Sequence, residues 1–169
     1  MFNIMKFIEK NSLKSLILLI FISGCGGSDG DNEVLEPSIK PKLVGLWERT
    51  FERNGSTGIQ QIEITSDGFL QSNEIGDYLI MNEWYSSLPD GITYKFWSDP
   101  KQPISEVTDN TITASAVSGA AHIIVLSSGE EVATWAISSL SSQVSYQLSS
   151  NGNLLTITTG DTTLEFNKS

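Results

Sequence analysis

The chain holds one histidine, His122, and one cysteine, Cys25. His122 stands in the apolar run Ala-Ala-His-Ile-Ile-Val-Leu, with no second histidine to share a zinc ion, so it reads as a packed or rim residue rather than a base. A lone cysteine excludes internal disulfides and thiolate metal clusters. The serines come in pairs (Ser127-Ser128, Ser138-Ser139, Ser141-Ser142, Ser149-Ser150), and none lies in a Gly-x-Ser-x-Gly elbow; turn chemistry accounts for them. Glu63, Glu74, Glu83 and Glu165 are the acids from which a glycoside-cleaving pair would be drawn, yet no spacing brings two of them together. Asp29, Asp31 and Glu33 lack the glycine and distal glutamate of a calcium loop. No glycine-rich segment leads into a helix with Lys-Ser/Thr, so no phosphate loop is indicated. These residues assign no catalytic group, no metal site and no cofactor.

Aromatic rings are the better lead. Trp84, Tyr94, Phe96, Trp97 and Trp135 fall in or beside expected strands of the middle section. Large rings of this kind either line an apolar ligand pocket or fill the interior of a small barrel.

The elements that position these side chains begin at residue 43. Residues 1–24 read instead as an export signal: Lys6, Lys10 and Lys14 against Glu9, then the unbroken apolar run Leu16–Ile22, then Ser23 and Gly24. That run is far shorter than the roughly 20 residues of a membrane-spanning helix. Ile22-Ser23-Gly24-Cys25 resembles the lipobox of bacterial lipoproteins, which implies cleavage before Cys25 and lipid on its thiol and freed amine. Each buried methylene of such chains, palmitate for example, adds about 0.8 kcal/mol of membrane affinity. The resemblance further implies a cell-envelope location, and Gly26 in place of Asp after the cysteine implies the outer membrane of a Gram-negative cell. Residues 25–42, rich in Gly, Ser and Asp and ending in Pro37 and Pro41, read as a tether.

Cleavage removes three lysines and one glutamate from the 10 basic and 20 acidic residues of the whole chain, leaving 7 against 19, a net charge of −12. That excess of acid excludes nucleic acid, whose affinity rests on cationic contacts to phosphate, and peripheral attraction to anionic headgroups.

From Leu43 onward the hydrophobic period is two. Leu43, Gly45, Trp47 and Phe51 share one face. Gln60–Thr65 alternates and is closed by Ser66-Asp67-Gly68, with Phe69–Ser72 returning. Asp77–Leu88 reads as another strand, Ile92–Trp97 as the next, and Asp99-Pro100 with Pro103 as a break. Thr111–Val117 is β-branched and Ser118-Gly119 follows it; Ala121–Leu126 and Val132–Ser138 are the next strands. Val144–Leu148, Leu154–Thr158 and Thr163–Phe166 end the chain as a meander around Asn151-Gly152-Asn153 and Gly160-Asp161. No stretch has helical period. Nine or ten short strands with tight turns predict an all-β domain over residues 43–169, a small antiparallel up-and-down barrel, with a β-sandwich as the alternative.

Leu43-Val44-Gly45-Leu46-Trp47-Glu48-Arg49 resembles the first-strand Gly-x-Trp motif of lipocalin-like proteins, and the closing meander is similar to the way such domains end. The resemblance implies that Gly45 lets the strand bend and Trp47 plugs the closed barrel end. It also implies a small apolar or amphipathic ligand inside. The arginine that those proteins stack on this tryptophan from near the C-terminus has no counterpart, since the arginines here are Arg49 and Arg53. A barrel filled by its own side chains and used for structural or protein contacts is the other reading.

Overall fold

The computed structural model describes residues 39–169. The signal segment, Cys25 and the tether up to residue 38 lie outside the described residues. β1 (Gly45–Arg53) and β2 (Ser56–Ile64) pair along their whole length, from Gly45↔Ile64 to Arg53↔Ser56. β2 then pairs with β3 (Phe69–Gly76). β3 pairs through Phe69 and Leu70 with β5 (Gln102–Val107), and β5 with β6 (Thr111–Ala114). β6 meets β9 (Ser142–Leu148), followed by β10 (Leu154–Thr159) and β11 (Thr162–Lys168). β11 returns to β1 at Trp47↔Lys168. Eight antiparallel strands therefore close a barrel in chain order, an up-and-down barrel with no sandwich.

Three strands stand outside that ring. At Glu74–Gly76 the far part of β3 leaves β5 and pairs with β4 (Tyr94–Asp99). β4 pairs with β7 (Val117–Val125), and β7 with β8 (Glu131–Ser139), which has no further neighbour among the described residues. This wing was not anticipated, because period two marks a strand without naming its partners.

Three local expectations are corrected. Asp77–Leu88 is not a strand: Tyr78–Met81 forms one helical turn, α1, whose cap Asp77 accepts hydrogen bonds from the Leu79 and Ile80 amides at 3.0 and 3.2 Å. Ile80 and Met81 are adjacent and both buried, which a strand facing one core does not allow. The strand expected over Thr111–Val117 ends at Ala114, and Val117, Ser118 and Gly119 open β7. A Cβ on Gly119 would lie 2.0 Å from the Asp99 carbonyl oxygen, so glycine permits two backbones to approach. Pro103 does not end pairing either. It is the second residue of β5, and its carbonyl accepts the Ser115 amide at 2.8 Å, a role that needs no N–H.

Alternation then divides the apolar residues into two cores. One fills the barrel end around Leu43, Trp47, Ile64, Leu155 and Phe166, each buried. The other, around Ile80, Met81, Tyr94, Phe96, Ala121 and Ile123, lies between α1 and the wing.

Candidate functional site

Inward alternation on the barrel strands leaves an unfilled space of about 330 Å³. Its walls are aliphatic: Ile62 from β2, Leu70 from β3, Ile112 from β6, Val144 from β9, Ile157 from β10 and Leu164 from β11. Phe166 adds one ring, and Ser72, Ser142 and Thr159 add hydroxyls. Ser138, Ser139 and Leu140, at the junction of β8 with β9, border the space where Leu140 is 53% exposed. The wing thus contributes part of the rim. A mostly apolar hollow with a few polar groups is the usual form of a small-molecule site, at the small end of the range.

Trp47 stands at the far end. It is fully buried, and its Nε1–H donates to the Leu43 carbonyl at 2.8 Å. The Lys168 ammonium lies 5.1 Å from its ring centre, so a lysine on β11 supplies a cation over this tryptophan. Gly45 precedes it with φ 141°, and a Cβ there would stand 3.0 Å from Lys168 Cε.

A polar cluster occupies the other end of β1 and β2. Arg53 Nη1 and Nη2 donate to the two carboxylate oxygens of Glu74 at 2.8 and 3.1 Å, and Arg53 Nε pairs with Glu83 at 2.9 Å. Trp84 Nε1–H donates to Glu74 at 3.0 Å. The Glu74 side chain is only 6% exposed. Burial raises the Glu83 pKa above its ordinary value, against the opposing pull of Arg53 and with a smaller push from Glu74. Beside this group, Arg49 Nε–H donates to Gln60 Oε1 at 2.6 Å. Burial holds the Arg49 pKa below the ordinary guanidinium value; Glu74 counteracts this and Arg53 adds to it. Gln60 Nε2 is buried and has no partner among the described residues.

The five aromatic candidates lie elsewhere. Trp84 and Phe96 stack at 4.4 Å and 7°, with Trp135 at 5.9 Å from Phe96. Tyr94 is buried beside them and donates from its hydroxyl to the Pro89 carbonyl at 2.9 Å. These four belong to the second core and its margin. Trp97, on the opposite wing face, stacks on His122 at 4.6 Å, and His122 Nδ1 meets Glu131 at 2.6 Å. None of the five lines the barrel hollow. Among the described residues no three His, Cys, Asp or Glu side chains converge as a metal site would require.

The inward polar residues were missed, although their parity carried a signal. Arg49 and Arg53 share the odd-numbered face of Trp47 and Phe51, and Gln60 shares the face of Ile62 and Ile64. Comparison with protein families, curated proteins and solved structures finds no match to this chain.

Proposed function

We propose that the protein is a lipid-anchored envelope protein, held to the outer membrane through Cys25, whose barrel takes up a small apolar or amphipathic ligand. The aliphatic hollow of about 330 Å³ carries the ligand part of this reading. The basic, apolar and small-residue order ending in Ile22-Ser23-Gly24-Cys25 carries the anchoring part.

Ligand uptake is tested by titrating the purified protein with a fluorescent medium-chain acyl probe. Ala114 is buried and borders the hollow. The substitution Ala114→Leu adds three carbons to the empty space and is expected to weaken uptake about tenfold or more while circular dichroism stays unchanged. Wild-type protein that takes up no probe, and yields no lipid on solvent extraction, sinks the carrier reading. Anchoring is tested by growth with labelled palmitate. Label is expected in wild type and not in Cys25→Ala, which should also leave the membrane fraction. Equal membrane retention by both would refute it.

A second reading, a structural or protein-interaction lipoprotein, is favoured by the outer edge of β8, which among the described residues ends the sheet order with its ladder unpaired on one side. It becomes the better account when the hollow takes up nothing.

A further inference from the structure

We infer that Arg49 and Gln60 form an anion subsite for the head of an amphipathic ligand whose chain lies in the barrel hollow, so that the ligand class is a carboxylate or phosphate monoester on a medium-length alkyl chain. This inference rests on the carrier reading above and narrows it.

Arg49 and Gln60 carry donors that have no acceptor among the described residues. Arg49 has five N–H donors. Its Nε–H goes to Gln60, and neither Nη group bonds to anything among the described residues. Arg49 also makes no ion pair there. Glu74 is near enough to influence it, but both Glu74 oxygens are already taken by Arg53 and Trp84. Gln60 is 1% exposed, and its Nε2 has no partner. Turning the amide over would not help, because it would set an NH2 against the guanidinium. An arginine and an amide, side by side with spare N–H groups on a barrel interior, are a site for oxygen anions.

Placement joins this pair to the hollow. The Arg49 guanidinium carbon lies 5.6 Å from the ring centre of Phe166, which lines the hollow. Gln60 is two residues before Ile62 on the same face of β2, and Ile62 and its cross-strand partner Ser72 are both wall residues. Neither Arg49 nor Gln60 lines the hollow itself; each sits beside a wall residue, Arg49 against Phe166 and Gln60 one inward position from Ile62. A hollow of about 330 Å³ stands at the small end of ligand sites, so one medium-length alkyl chain suits it better than a long or branched one.

The test uses three ligands with one chain, decanoate, decyl phosphate and decanol, titrated calorimetrically into the purified protein. Wild type is expected to bind at least one of the two anions about tenfold or more tighter than decanol. The substitution Arg49→Gln should abolish that preference and leave decanol binding unchanged. Gln60→Glu, which adds a carboxylate beside Arg49, should do the same. Whichever anion binds tighter names the head group. Equal binding of decanol and both anions by wild type overturns the subsite while leaving the carrier reading intact. No binding of any of the three overturns both.

Discussion

Replacing Arg53 with Met is expected to cost about 3–5 kcal/mol of folding stability, read as a lower urea midpoint at unchanged slope. Arg53 alone bridges Glu74 and Glu83, through contacts of 2.8 and 2.9 Å. Its removal strands two carboxylates, one of them 6% exposed, in a place that water reaches poorly. The pH dependence gives a second reading of the same cause. A carboxyl whose folded pKa lies above its unfolded value favours the folded state below the unfolded value, and that benefit fades as pH rises through the folded one. Glu83 is already raised in this sense by burial, and loss of Arg53 removes the group that opposes the shift. The deficit of Arg53→Met should therefore shrink as pH falls into the ordinary glutamate range and below. The triple variant Arg53→Met, Glu74→Gln, Glu83→Gln should recover much of the loss, because neutral groups are cheaper to bury. A single variant within 1 kcal/mol of wild type would mean that the cluster is effectively solvated.

Trp47→Ala should be of similar size, about 3–5 kcal/mol, for a different reason. Trp47 is fully buried at one barrel end, among Leu43, Ile64 and Phe166. Truncation opens a void that closed strands cannot collapse to fill. It also leaves the Leu43 carbonyl without its 2.8 Å donor and Lys168 without a ring. Trp47→Phe keeps most of the apolar volume while losing the N–H and part of the ring, so it should cost clearly less. Thermal and urea unfolding of both variants separate plugging from hydrogen bonding. Equal losses would show that the indole N–H, not its volume, holds this end together.

The two expectations bear on different parts of one interior. Trp47 closes the barrel where β1 meets β11, whereas the Arg53 cluster stands where β3 turns from β5 to β4.

Strand character was legible by eye along most of the chain, because alternation such as Gln60–Thr65 or Val144–Leu148 records a sheet with one buried face. Period two also put Trp47 and Phe51 on one face, and both are buried or partly buried. Strand number and tight turns pointed to a barrel or a sandwich, and the pairing of β11 with β1 decides for the closed barrel. What alternation cannot encode is partnership. Nothing local states that β3 serves two neighbours, that β7 and β8 leave the ring, or that Gly119 lies against the Asp99 carbonyl. The aromatic residues were conspicuous, yet four of them pack between α1 and the wing, away from the hollow. The hollow's lining is plain Ile, Leu, Val and Ser, residues that look the same whether they touch each other or a ligand. The sequence by itself determined the period, the turns and the inward parity, since these depend on neighbours one to three residues away. Only the tertiary structure decided where the interior is full and where it is empty, because volume left unfilled is a sum over strands far apart in the chain.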